Sequence, residues 1–267
     1  MFNANDFYYD GQFLSDYGFI IGSYGGEYDG KVTINPGSKI TFNKVSRNSG
    51  KRFSMVSAKY AECYSASFTI VKEPFAPITN DEYRDLMRLL NRREFLQTYF
   101  IEHNDEESET VYYNASFTVE KEYDNFKLVA LRLTMETDSP FGYGQEQTAT
   151  FTISDTEKFA LVADINDEIG YTYPDLSITI NKNGDLELYN EDTACRTVIK
   201  NCVVGEVITI DGNAKIISTS KDAHKATLHN DFNFEFFKIG NTIDNKSNHI
   251  YSTLPCKCVL RYKPIIK

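Results

Sequence analysis

From Val111 to Met135 the chain alternates apolar and polar residues with a period of two, and no other segment restricts the fold as tightly. Val111, Tyr113, Ala115, Phe117 and Val119 fall on one face of a first run, and Val129, Leu131, Leu133 and Met135 on one face of a second. Side chains alternate across a strand, so this pattern describes a β-hairpin with one face buried and the other wet. Asp124-Asn125 supplies the turn. Each arm runs about eleven residues, or roughly 35 Å. That exceeds what a small sandwich needs, so the hairpin is expected to extend a sheet toward neighbouring molecules.

The rest of the first half reads as more strands around one helix. Residues 6–26 suggest a short hairpin turning at Asp10-Gly11, a strand near Phe19 to Gly22 and a glycine-rich loop. KVTIN and KITFNKVS follow, joined by Pro36-Gly37, and the polar RNSGKR stretch (47–52) reads as a loop before the strand YSASFTIV. A helix is expected over about 79–92. Thr79-Asn80-Asp81-Glu82 is a capping box, and Tyr83, Leu86, Met87 and Leu90 recur at helical spacing. Arg84, Arg88 and Arg92 stand at successive i,i+4 places on another face, either a solvated stripe or a partner interface. EFLQTYFIE then returns to the sheet.

At TDSPFGYGQEQ (137–147) the alternation breaks and Pro and Gly cluster, which predicts a boundary between domains at 1–143 and 148–267. Beyond it come shorter strands: TATFTIS, LSITI joined through Asn183-Gly184 to LELYN, VITI joined through Asp211-Gly212 to AKIIS, and the closing CKCVLRYKP. Regular turns without helices favour an antiparallel sandwich or jelly roll. In NDFNFEFFKIGNTI (230–243) a strand would bury Phe232, Phe234 and Phe236 on one face, with Gly240-Asn241 as a turn. Phe237 falls on the side shared with Asn233 and Glu235, so it is either a second core contact or an aromatic offered to a partner.

Composition sets the limits on function. The 267 residues carry a formal net charge of −10, which argues against holding nucleic acid by its phosphates. No segment approaches the roughly 18 uninterrupted apolar residues of a membrane helix, and MFNANDFYYDGQF lacks the features of a secretory signal. Synthesis and first folding in cytoplasm are therefore expected, with Cys63, Cys195, Cys202, Cys256 and Cys258 as thiols. Cys195, Cys202, Cys256 and Cys258 lack zinc-ribbon spacing, so semi-buried free thiols are the preferred reading over a metal site.

Catalytic signatures are equally sparse. His103, His224, His229 and His249 are isolated in sequence, and no G-x-S-x-G elbow or phosphate loop is present. The Asp164 and Asp167 carboxylates, and the acidic HNDEESE loop that a calcium ion would need, read better as solvated turns. No catalytic, cofactor or metal residue is expected. Tyr171 and Tyr173, in IGYTYPD, are candidate glycan contacts in a chain without Trp; the competing reading has Tyr173 closing the edge of the core.

Taken in order, FYYDGQFLSDYGFII, the one-helix half with its long strands, DSPFGYG, YPDLSITINKNGDLELYN, GEVITIDG and NDFNFEFFKIGNTI resemble the distal tail protein family of long, non-contractile bacteriophage tails, over nearly the whole chain. The resemblance implies a mainly β protein of two antiparallel β-sandwich domains, the first with one helix and long hairpins, the second a galectin-like jelly roll. It implies a homo-hexameric ring at the distal end of the virion tail. Such a ring joins the tail tube protein to a tail-tip hub protein and in some cases to receptor-binding proteins, and DNA passes through it without specific binding. The alternative is a carbohydrate-binding module in host-surface adhesion. The galectin-type sugar site departs from the pattern, since its usual Trp is missing.

Overall fold

The computed structural model describes residues 2–25, 30–35, 37, 39–46, 53–60, 62–102, 110–153, 159–163 and 166–267. The RNSGKR loop, the HNDEESE loop with His103, Asp164 and Pro36 lie outside them. The chain divides into two compact units, Met1–Gly144 with Lys267, and Gln145–Ile266.

In the first unit the strands are β1 (Phe2–Tyr9), β2 (Gln12–Phe13), β3 (Phe19–Ile21), β4 (Lys31–Asn35), β5 (Ile40–Ser46), β6 (Phe53–Tyr60), β7 (Ser65–Lys72), β8 (Leu96–Glu102), β9 (Tyr113–Asp124), β10 (Lys127–Thr137) and β11 (Gly142–Tyr143), with helix α1 (Asn80–Leu90) between β7 and β8. Adjacent strands run β10-β9-β8-β1-β4-β7, and β7 pairs again with β10 from Ser65↔Glu136 to Val71↔Ala130. The sheet therefore closes on itself. Inward-facing residues of these strands make an aromatic core: the Phe7 ring lies 5.5 Å from Phe68 and 5.2 Å from Phe117, and Tyr9 lies 4.8 Å from Phe117. Full burial of one such ring contributes about 1.5–3 kcal/mol, so this cluster holds the unit together. Leu86, Leu89 and Leu90 add the apolar face of α1 to it.

Two local expectations change here. The hairpin turn falls at Asn125-Phe126, one residue later than expected, with both in the left-handed region (φ 47 and 64). That is the backbone of a type I′ turn, whose twist matches the flanking strands. β4 and β5 do not pair across Pro36-Gly37; β5 pairs instead with β6, from Ile40↔Tyr60 to Ser46↔Phe53, as a separate two-stranded ribbon.

The second unit contains β12 (Gln147–Ile153), β13 (Phe159–Val162), β14 (Gly170–Thr172), β15 (Asp175–Ile180), β16 (Gly184–Asn190), β17 (Cys195–Cys202), β18 (Val207–Asp211), β19 (Ile216–Thr219), the short helices α2 (Asp222–Lys225) and α3 (Leu228–Asp231), β20 (Ile239–Asn241), β21 (Ser247–Ser252), β22 (Cys256–Tyr262) and β23 (Ile265–Ile266). A five-stranded sheet, β12-β22-β15-β18-β19, and a four-stranded sheet, β13-β21-β16-β17, share one core. β14 pairs with β20 as a two-stranded ribbon. Asn183-Gly184 does not make a hairpin: β15 belongs to the first sheet and β16 to the second, so this turn carries the chain from one layer to the other. Asp211-Gly212 does begin a hairpin, with Asp211 opposite Ile216.

Candidate assembly surfaces

Helix α1 is built from both ends. Thr79 Oγ1 accepts from Glu82 N at 3.3 Å, and Glu82 Oε2 accepts from Thr79 N at 2.9 Å, which closes the capping box. Lys72 Nζ reaches Glu82 Oε1 at 2.5 Å, and that hydrogen bond, with the one from Thr79 N, holds the Glu82 carboxyl below its ordinary range. Leu89 is buried where the spacing argument placed Met87, which is only half-buried.

The three arginines split into two kinds. Arg84 and Arg88 pair with Asp81 (3.5 Å) and Asp85 (2.9 Å) on their own helix, with side chains 73% and 81% exposed. Exposed i,i+3 pairs are weak, so both guanidinium groups remain available to a partner. Arg92 lies past the helix end; it donates to Asp10 Oδ2 at 2.6 Å and through Nε to the Leu89 carbonyl at 3.2 Å. It fastens the helix terminus to the β1–β2 turn, where Asp10 (φ 49) and Gly11 (φ 84) are left-handed.

Exposed apolar side chains mark the extremities of this unit. Residues 120–127, the end of the β9–β10 hairpin, are exposed throughout, and Phe126 is fully so. The β5–β6 ribbon exposes Ile40 and Phe42. Lys121 lies over the Tyr83 ring and Lys44 near the Phe42 ring, but Phe126 and Ile40 stay exposed, so both clusters are candidates for contact with other molecules.

The aromatic segment of the second unit is not a strand. Phe232 is buried beside an isolated bridge to Ile199, but Phe234 has φ 58 and turns out to solvent at 66% exposure. Side chains replace the missing ladder: Asn233 Oδ1 accepts from Val198 N (3.1 Å), Asn233 Nδ2 donates to the Arg196 carbonyl (2.7 Å), and Thr197 Oγ1 donates to the Glu235 carbonyl (2.8 Å). Phe237 is 1% exposed in the core beside Ile239 and does not face a partner. Gly240-Asn241 is likewise not a turn. It lies in β20, where Gly240 N donates to Asn248 Oδ1 at 2.7 Å and Asn248 Nδ2 returns a bond to the Gly240 carbonyl at 3.0 Å.

Tyr171 and Tyr173 are exposed at 60% and 39%, yet each presents a ring face to a lysine of its own unit. Lys238 Nζ lies 4.3 Å from the Tyr171 centroid, and Lys215 Nζ lies over Tyr173 and 5.3 Å from the Phe236 centroid. Desolvation in this aromatic setting lowers the Lys215 pKa. A ring face held by an ammonium is not free to stack on a sugar.

Sequence spacing gave no sign of one buried cluster. His224 Nδ1 lies 2.6 Å from Glu206 Oε1, His224 Nε2 lies 3.6 Å from Asp231 Oδ2, and Glu206 is fully buried. Desolvation opposes ionisation of Glu206, but hydrogen bonds from Thr219, Val203 N and His224 outweigh it and lower its pKa. The cluster ties α2 and α3 to the turn before β18, and only the fold brings its members together. Cys195, Cys202, Cys256 and Cys258 are buried free thiols; burial pushes Cys202 up to about 12, and Cys258 hydrogen-bonded at 3.7 Å lowers Cys256. Among the described residues no three His, Cys, Asp or Glu side chains converge as a metal site, and no helix is long and apolar enough to cross a membrane.

Comparison with known proteins adds the following. Residues 2–139 match a family model described as a phage tail protein N-terminal domain, and residues 141–262 match a phage tail C-terminal domain. No curated protein sequence matches the chain. Among solved structures, the Dit protein of phage SPP1 aligns at 15% identity and a TM-score of 0.65, covering 97% of this chain and 98% of that one. A chain of the phage P2 baseplate aligns at 11% identity and a TM-score of 0.47, covering 98% of each. The SPP1 likeness shows a common two-part fold.

Proposed function

Because the chain belongs to the phage tail protein family whose N-terminal model spans residues 2–139, we propose that it is the structural hub of a tail tip or baseplate, acting as a ring of six copies. One observation carries this reading: two tail-domain matches follow each other along a chain with the fold of the SPP1 Dit protein, which is described as a paradigm of the hub adsorption apparatus in phages of Gram-positive hosts. Residues 1–143 form the ring around the DNA channel, and residues 148–267 project as a galectin-like dock. The tail tube protein binds on one side, the tail-tip hub protein on the other, and receptor-binding proteins attach to the dock.

The role is architectural rather than enzymatic, and its place is the distal end of the virion tail after synthesis in the host cytoplasm. A net charge of −10 suits a ring that DNA crosses without being held. Arg84 and Arg88 serve the subunit or tube interface, supported by their exposure and weak internal pairing.

Native mass measurement with negative-stain microscopy tests the reading. Hexamers or annular particles are expected, and antibody against this chain should label the tail's distal end. A strict monomer at micromolar concentration, absent from purified tails, would overturn it. Reversal of both arginines, Arg84→Glu with Arg88→Glu, is expected to break the ring at unchanged thermal stability; intact rings would return them to a solvated role.

A further inference from the structure

Three neighbouring strands of the first unit give its outer surface a trough. β7 lies between β4 and β10, with Thr33 opposite Ser67 on one side, and Thr134 opposite Ser67 and Arg132 opposite Thr69 on the other. Ala66, Phe68 and Ile70 point into the core, so Ser67 and Thr69 face outward. Small hydroxyl side chains on the central strand and long ones on its flanks leave a depression of about 360 Å³, bounded by Lys31 and Arg132 and floored by Ser23, Thr33, Ser67 and Thr69.

Its charge runs against that of the chain. Among the described residues no carboxylate lines the trough, although the protein carries 38 acids against 28 bases; Glu27 and Asp29, between Ser23 and Lys31 in the chain, lie outside the described residues. Neither Lys31 nor Arg132 makes an ion pair or a side-chain hydrogen bond among the described residues; Glu120 stands opposite Arg132 across β9 and β10 without reaching it. Two unengaged cations above hydroxyl donors are suited to carboxylates, which accept several hydrogen bonds and gain from a fixed positive charge.

The same unit also carries a matching projection. Glu122 and Asp124 lie on the exposed end of the β9–β10 hairpin, beside Tyr123 and Phe126, and neither carboxylate has a partner among the described residues. We propose that the hairpin end of one copy seats on the trough of a second copy, Glu122 and Asp124 meeting Lys31 and Arg132. The projection is the turn end of the hairpin and the trough lies farther down its outer face, Glu122 standing one same-face step nearer the turn than Glu120, which is opposite Arg132. The two do not coincide, so the contact is head-to-tail, the kind that closes into a ring. This inference rests on the ring reading above and specifies which surfaces meet.

A charge exchange tests it. One full-length variant carries Lys31→Glu and Arg132→Glu, and the other Glu122→Lys and Asp124→Lys; sedimentation and negative stain are read for each alone and for an equal mixture. Each variant alone juxtaposes like charges and is expected to weaken self-association about 100-fold or more. The mixture restores opposite charge at every contact, so assembly should return, with thermal unfolding of each variant near that of the unaltered protein. Variants that assemble alone, or a mixture that stays dissociated while both variants are folded, would overturn the assignment and leave the ring reading intact. An unaltered protein that never assembles would overturn both.

Discussion

Phe237 and Phe234 are three residues apart in one aromatic run, and the structure gives them opposite fates. Phe237 is 1% exposed within the core of the second unit, and Phe234 is 66% exposed with φ 58. Phe237→Ala removes a full ring from a sealed site. The lost transfer energy of a buried aromatic is about 1.5–3 kcal/mol, and the cavity left behind brings the expected cost to about 3–5 kcal/mol. For a unit of this size each kilocalorie lowers Tm by roughly 3–6 °C, so a drop of about 10–30 °C is expected in the transition belonging to residues 145–266. Phe234→Ala removes only a surface contact with Phe232, 5.4 Å between centroids, and should cost no more than about 1 kcal/mol. Scanning calorimetry of the full chain separates the two units if they melt apart, and urea titration followed by near-ultraviolet circular dichroism gives an independent value. A Phe237→Ala protein within about 1 kcal/mol of the unaltered one would refute the reasoning. If that protein also lost a binding partner, Phe237 would have to be a surface contact after all.

Two further outcomes follow from buried geometry. Glu206 has a lowered pKa in the folded state, so its contribution to stability is present above the ordinary glutamate range and lost as pH falls through the folded value. Glu206→Gln should therefore destabilise the second unit by about 2–4 kcal/mol at pH 7 and flatten the acid side of its stability profile; an unchanged profile would remove the His224–Glu206 pair from the account. Gly212→Ala would bring a Cβ to 2.1 Å from the Tyr173 carbonyl oxygen and 2.5 Å from that of Pro174. These are backbone atoms of the Tyr173-Pro174 segment, which cannot swing aside as a side chain would, so a loss of about 2 kcal/mol or more is expected by chemical denaturation, and a neutral result would mean the loop moves freely.

Where local chemistry alone decides an element, the sequence could be read. Thr79 and Glu82 fix a helix start whatever surrounds them, and the β9–β10 alternation fixes which side is buried as far as the bulge between Leu128 and Ala130, where Leu128 packs on the main core and Val129 joins a separate cluster with Val71 and Ala130. Tyr9↔Gln12 and Asp211↔Ile216 are hairpins announced by Asp-Gly pairs. The failures are places where a distant partner overrules the local pattern. Residues 232–236 alternate like a strand, but Asn233 bonds β17 with its side chain and releases Phe234 outward. Gly240-Asn241 has turn chemistry, but Asn248 holds Gly240 in an extended pairing with Tyr171. Asn183-Gly184 does bend the chain, yet nothing local states whether the strands it joins are neighbours or lie in opposite layers. The surfaces were legible only in part. Arg84 and Arg88 could be placed on an exposed helix face from spacing, whereas the trough needed Lys31, Ser67 and Arg132, which are far apart along the chain and adjacent only through the β4-β7-β10 order.

The pairing of β7 with β10 has a consequence for the life of the subunit before assembly. An open sheet offers backbone donors and acceptors to any passing strand, and a protein made in many copies at once would be exposed to indiscriminate joining. Closure withdraws that offer from the largest sheet of the molecule. Among the described residues, what the first unit still offers is side chains, which discriminate by charge and shape, and the edges of the short strands β2 and β3 and of the narrow β5–β6 ribbon, so a stray strand finds few places to join.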